Sequence, residues 1–182
     1  MTEIFSAHSL KIFDVDRIPT HGGSLRIYAA HAGTARAEEP AVAALRTEEE
    51  AHGFRSMERY ASFAPRVEET KRALLDFMIE TRRAGKSIAA YGAPGKGNTL
   101  LNYCGIRTDF VDYAVDRNPY KHGRYTPGTH IPIFPPERIR ETRPDYVLIL
   151  PWNLKDEITE QLSYVREWGG RFVVPIPRVD VS

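Results

Sequence analysis

The densest chemistry in the chain lies in Tyr91-Gly92-Ala93-Pro94-Gly95-Lys96-Gly97-Asn98-Thr99. Gly92, Gly95 and Gly97 allow a sharp backbone turn and close approach of a ligand to the peptide groups, and a helix is expected from Asn98 onward. Unpaired N–H groups at a helix start, reinforced by the helix dipole, suit an anion, most naturally a phosphate. Lys96 adds a charge, and Asn98 and Thr99 add donors. Two phosphate motifs fail on spacing. Only two residues separate Gly92 from Gly95, and Lys96 is followed by Gly97, so this is not the Walker loop. The order is G-x-x-G-x-G, whereas the dinucleotide fingerprint is G-x-G-x-x-G. Asp116, 24 positions after Gly92, nevertheless falls where dinucleotide folds hold a ribose hydroxyl pair. The plain alternative is a strand–helix turn that needs glycine only for packing.

A second candidate segment, VDRNPYKHGRYTPGTHIPIFPPERI, is long, basic and aromatic. Loops of this length in a small domain are usually functional or mobile. Arg117, Lys121, His122 and Arg124 could hold a diphosphate, and Tyr120 and Tyr125 could stack on a base or sugar. Asp112 and Asp116 make no acid/base pair, because four residues along a strand separate them by about 13 Å. His21, beside Gly22-Gly23-Ser24, is a candidate base or ligand contact. His8, His31, His52 and His130 have no metal-ligand spacing, and no metal site is expected. No G-x-S-x-G elbow or H-E-x-x-H helix occurs, so no self-contained catalytic machinery is visible and no catalytic residue is assigned.

These residues need a scaffold. Ser87–Tyr91, Phe110–Val115, Tyr146–Pro151 and Arg171–Pro175 are short apolar runs without alternation, as in strands covered on both faces. Asn98–Cys104, Pro136–Thr142 and Asp156–Trp168 read as helices between them. The alternation predicts an α/β fold, a Rossmann-like parallel sheet with helices on both faces. The loops after Tyr91 and Val115 then lie at the carboxyl edge of the sheet, where such folds bind ligands. Upstream, Leu10–Ile18 and Ser24–His31 read as a small N-terminal β-hairpin, which needs a larger partner to dock on. Residues 33–85 read as a helical connector, with a short helix near Ala41–Glu50 and a longer one over Ser56–Ala84. Pro65 starts or kinks the longer helix and Gly85 ends it. The expected division is 1–32, 33–85 and 86–182, with 33–182 as one folded domain.

Composition sets the outer bounds. The chain has 182 residues, 42% hydrophobic and 27% charged, with a formal net charge of +1. That balance is ordinary for a globular protein and makes no electrostatic case for nucleic acid or an anionic membrane. A lone Cys104 excludes an intramolecular disulfide framework and a multi-cysteine zinc site within these residues. No apolar run is long enough to span a bilayer, and the N-terminus lacks a signal-peptide layout. The expectation is a cytoplasmic protein with no membrane or nucleic-acid partner.

Several segments together resemble the C-terminal part of the S-adenosylmethionine (SAM)-dependent sugar C-methyltransferases, which methylate carbon in nucleotide-linked deoxysugars. They are PTHGGSLRIYA at 19–29, YGAPGKGNTLLNYCGI at 91–106, VDRNPYKHGRYTPGTHIPI at 115–133, LPWNLKDEI at 150–158 and the RFVVPIP ending. The resemblance implies a sugar-nucleotide-binding C-terminal domain, with a dTDP-sugar as ligand and His21 as a candidate contact to the sugar. In the family this domain follows a zinc module and a SAM domain, and a Tyr/Glu/His cluster upstream of the hairpin abstracts the proton. Neither the zinc cysteines, the SAM glycine motif nor that cluster occurs in these residues. The expectation is therefore a domain that binds no cofactor alone, is not catalytically competent alone, and depends on SAM bound elsewhere, on a separate SAM-domain chain or on the rest of a longer one. Two other readings stay open on sequence: a NAD-type Rossmann oxidoreductase, and a non-catalytic interaction module.

Overall fold

The computed structural model describes residues 1–182, which divide into two units, Met1–Ala64 and Pro65–Ser182. The division falls inside the stretch expected to be a connector, at neither of its expected ends, and 33–182 is not one unit. The reason is local. In the first unit, α1 (Thr2–Ala7), β1 (Leu10–Ile18), β2 (Ser24–His31), α2 (Pro40–Ala51) and α3 (Met57–Ala61) follow in order. The Glu39 N–H donates to the Phe13 carbonyl at 2.8 Å just before α2 begins. Val42 of α2 and Ile12 of β1 are the buried apolar residues of this unit, and Arg17 of β1 pairs with Glu48 of α2. The helix thus supplies the docking surface that a two-stranded hairpin requires. The two strands are antiparallel and occupy the expected residues, with a bulge at Phe13. His21 sits exposed in the connecting turn with a left-handed φ of 58°.

Of the two outcomes expected at Pro65 within Ser56–Ala84, the structure shows a new helix: α3 ends before it, and Pro65 lies in the first turn of α4 (Phe63–Arg83). A first-turn proline removes no intrahelical hydrogen bond. Leu74 and Met78, four residues apart on one face, are fully buried. No helix is long and apolar enough to cross a membrane.

The second unit is an α/β sandwich. Its strands are β3 (Ile88–Tyr91), β4 (Tyr113–Val115), β5 (Ile133–Phe134), β6 (Tyr146–Ile149), β7 (Arg171–Val174) and β8 (Asp180–Val181), arranged β5-β4-β3-β6-β7-β8. All neighbours are parallel except β7 and β8. The helices are α5 (Gly95–Cys104), α6 (Arg138–Thr142) and α7 (Lys155–Gln161), the last followed by a 3-10 segment, Ser163–Trp168. Alternate strand residues feed two cores. Ala90, Ala114, Leu148 and Val173 pack with α4 and α5 on one face. Ala89, Val115, Val147, Ile149 and Phe172 pack with Ile139, Ile158 and Val165 on the other. Period-two alternation between two apolar faces is why these strands read as unbroken apolar runs. Burying one Leu or Phe of this kind contributes about 1.5–3 kcal/mol. β4 is shorter than expected, because Asp112 belongs to its amino-terminal approach. The Asp112 carboxylate accepts from the Ile88 N–H at 3.0 Å and from Arg82 at 2.6 Å.

The strand order fixes where the sheet leaves a crevice. The chain steps from β3 to β4 and β5 on one side, then crosses back to β6 on the other. The ends of β3 and β6 therefore form the topological switch point, where a crevice opens at the carboxyl edge.

Candidate functional site

That crevice exists, and it has two compartments. The smaller, about 210 Å³, lies at the switch point, where Gly92, Asp116, Arg117 and Lys121 meet Pro151, Glu157 and Gln161. The larger, about 730 Å³, is bounded by His122, Arg140, Leu162 and Tyr164 among others. Tyr91, Arg117 and Gln161 line both. The larger volume falls in the range of small-molecule sites.

Gly92 has φ +81°, and a Cβ there would meet the Pro151 ring at 2.8 Å. It makes the turn at the end of β3 and lets the loop after β6 close against it. Its N–H donates to the Val115 carbonyl at 2.7 Å. The next N–H, of Ala93, donates to Asp116 Oδ2 at 2.8 Å. Lys121 Nζ bridges the same oxygen at 2.8 Å and the Ala93 carbonyl at 3.1 Å. The Asn118 N–H reaches Asp116 Oδ1 at 2.9 Å. Burial pushes the Asp116 carboxyl up, but Lys121 and the two backbone donors outweigh it, holding the group below the usual carboxylate range. Asp116 is therefore an internal clamp joining the first loop to the second. The Gly92 and Ala93 peptides are satisfied within the protein and leave no free amide for a ligand.

The rest of the glycine segment divides by role. Pro94 is the N-cap of α5 and no side chain caps the first turn, so the Gly95, Lys96 and Gly97 amides begin the helix uncapped. Gly95 has open space where a Cβ would stand, whereas a Cβ on Gly97 would strike Leu150. Lys96 hydrogen-bonds Asn153 and lies 4.6 Å over the Trp152 ring, tying α5 to the loop after β6. Thr99 Oγ1 donates back to the Gly95 carbonyl at 3.1 Å. Asn98 Oδ1 is buried without a partner.

The second loop is folded back on itself. Gly123 N–H donates to Ile133 O and Ile133 N–H to Arg124 O, at 2.9 and 2.8 Å. His122 Nε2–H donates to the Asp116 carbonyl at 2.7 Å, and the ring lines the larger compartment. Arg117 is exposed, 3.7 Å from Glu157. Arg124 and Tyr125 are exposed and line neither compartment. The structure thus brings Gly92, Asp116, Arg117, Lys121 and His122 into the crevice walls. It sets Gly95, Lys96, Gly97, Asn98 and Thr99 on the adjoining helix start, and leaves Arg124, Tyr125 and His21 outside the lining.

Sequence reasoning missed Tyr91, Arg140, Gln161 and Tyr164. The Tyr91 hydroxyl donates to Gln161 Oε1 at 3.0 Å, and the Arg140 guanidinium lies 3.8 Å from the centre of the Tyr164 ring. Burial raises both tyrosine pKa values, with the neighbouring arginines opposing it. Position was the available signal for Tyr91, the last residue of an apolar strand. The other three come from helices that only the topology brings together.

Residues 19–177 match the family model described as the C-methyltransferase C-terminal domain. The chain belongs to that family. The C-methyltransferase C-terminal domain is thus the identity of nearly the whole sequence, including both loops and the crevice. A curated relative, C-methyltransferase NovU of Streptomyces niveus, is 37% identical over 174 residues, covering 96% of this chain and 41% of NovU. This C-methyltransferase domain chain therefore spans about two fifths of that relative's length. Among solved structures, UDP-D-quinovosamine 4-dehydrogenase from Vibrio fischeri aligns with 51% of this chain and 79% of its own, at 24% identity and a TM-score of 0.38. That likeness carries no weight in the assignment.

Proposed function

We propose that this C-methyltransferase C-terminal domain binds the nucleotide-linked deoxysugar on which the methyl transfer acts, a dTDP-sugar by the family resemblance. The observation that carries the reading is the crevice at the β3/β6 switch point, lined by Arg117 and by Pro94, the N-cap after which the uncapped first turn of α5 begins. A diphosphate needs several donors in a fixed array, and helix-start amides beside an arginine provide one. Lys121 contributes by fixing the Asp116 clamp and is a positioning residue. The chemistry asks for such a holder. Methylation of the carbon beside a 4-keto group would pass its proton to a base and take a methyl from SAM, which would leave as S-adenosylhomocysteine, so with both partners held elsewhere the ring must be placed accurately.

In this proposal the domain supplies binding and orientation, while SAM and the proton-abstracting base belong to another domain or chain. These 182 residues alone then transfer no methyl group. The oxidoreductase alternative is weakened by Asp116, whose two oxygens already accept Ala93, Lys121 and Asn118 and so do not stand free for a ribose. Calorimetry tests the proposal: thymidine diphosphate gives a binding isotherm with this chain and SAM gives none. Binding of SAM by these residues would contradict it.

A further inference from the structure

We infer that the larger compartment takes the flat nucleobase of the ligand, with Arg140 stacked on Tyr164 as its platform and Gln161 as its hydrogen-bond reader. The inference rests on the reading of the crevice as a nucleotide-linked sugar site and adds which end of the ligand lies where. Three observations carry it.

The first is the stack itself. The Arg140 guanidinium carbon sits over the Tyr164 ring, 3.8 Å from its centre, and both residues line the compartment. No carboxylate lies within ion-pair distance of that guanidinium, and its N–H groups make no hydrogen bond to the protein. Glu141, the acidic neighbour on its helix, pairs with Arg138 instead. A guanidinium plane preorganised on a phenol ring and otherwise uncommitted is a stacking surface for another π system.

The second is the orientation of Gln161. Its Oε1 accepts the Tyr91 hydroxyl at 3.0 Å, and its amide N–H groups make no hydrogen bond to the protein. Gln161 then presents N–H donors to the compartment it lines. A donor pair held in this way matches a ring carbonyl and mismatches an exocyclic amine. The third is placement. Tyr91, Arg117 and Gln161 form the wall common to both compartments. A ligand held by its phosphates near Arg117 and the α5 start reaches the larger space without a break.

The test uses the full chain with three probes: thymidine diphosphate, adenosine diphosphate and inorganic pyrophosphate. The wild-type protein binds thymidine diphosphate at least ten-fold more tightly than pyrophosphate. Arg140→Ala, at an exposed position, loses about ten-fold for thymidine diphosphate, the size of one stacked base, and nothing for pyrophosphate. Arg124→Ala removes the same charge at an exposed position outside the lining of either compartment and leaves both affinities unchanged. Gln161→Glu replaces the donors by an acceptor, so the ratio of thymidine to adenosine diphosphate affinity falls by ten-fold or more, a change in preference that a merely structural role would not produce. The inference is overturned if Arg140→Ala weakens pyrophosphate and thymidine diphosphate alike, or weakens neither, or if Gln161→Glu leaves the preference in place. Wild-type protein that binds none of the three probes defeats the reading of the crevice itself.

Discussion

A Cβ built on Gly97 would stand 2.8 Å from Leu150 Cβ, so the first turn of α5 rests directly on the residue that follows β6. Glycine here serves packing. Gly97→Ala is expected to lower unfolding free energy by about 1–3 kcal/mol, the usual range for overpacking. Denaturant melts with an unchanged slope check it, and an unaltered midpoint would show that the contact relaxes freely.

Gly95 gives the opposite contrast, because nothing lies within 4 Å of the position its Cβ would take. A carboxylate at the first position of α5 complements the helix dipole. Gly95→Asp is therefore expected to keep or raise stability, by about 0.3–1 kcal/mol, while weakening nucleoside diphosphate binding by ten-fold or more through repulsion. Opposite signs in the melt and the titration are the signature. A variant that binds as the wild type does would remove the α5 start from the site.

Arg117 is the exposed cation common to both compartments, and its partner Glu157 is 3.7 Å away and equally exposed. Such a pair contributes little to stability. Arg117→Ala should leave the melting midpoint within about 0.5 kcal/mol of wild type and reduce affinity for thymidine diphosphate by ten-fold or more. Calorimetry on the folded variant decides.

The Asp116 clamp predicts a structural defect instead. Asp116→Ala strands the Ala93 and Asn118 N–H groups and the Lys121 ammonium, and is expected to destabilise the domain by about 2 kcal/mol. The Lys121→Met variant should soften the loop without abolishing nucleotide binding, because Lys121 acts through Asp116. Equal loss of binding in Lys121→Met and Arg117→Ala would make Lys121 a direct ligand contact.

At the opposite end of the sheet, Asp145 joins the approaches to β3 and β6. It accepts from Lys86 at 2.8 Å and from the Ser87 N–H and hydroxyl at 2.9 Å each. Lys86 and the Ser87 N–H hold its carboxyl down at about 2. A carboxyl depressed in the folded state stabilises above its ordinary pKa and loses that contribution as pH falls toward the folded value. Acid titration of stability should show a component lost between about pH 4 and about pH 2, absent in Asp145→Asn. Because the group is partly exposed, the component is on the order of 1 kcal/mol. An identical acid limb in the variant would contradict the assignment.

Much of this was written in local sequence. The strands Ile88–Tyr91, Tyr146–Ile149 and Arg171–Val174 are apolar on both faces, and both hairpin strands fall where alternation puts them. The two-residue strands Ile133–Phe134 and Asp180–Val181 carry no period, because their pairing is decided entirely by neighbouring strands. Asp116 lies at the right spacing for a ribose, yet the loop beside it offers nearer donors, and those win. Lys96 reads as a phosphate contact until the loop after β6 brings Asn153 and Trp152 to it. Gln161 and Tyr164 sit on polar, ordinary helical sequence, and nothing local marks them. Their meaning comes from the crossover that returns the chain to the far side of β3.

The proposed role of the switch-point crevice is to hold the diphosphate of a nucleotide-linked sugar. Backbone amide chemical shifts of the isotope-labelled chain during titration with thymidine diphosphate test it most directly. Saturable shifts that move together at Gly95, Lys96, Gly97 and Arg117 are the expected result. Shifts that spare those amides, or no saturable change at any amide, would contradict it.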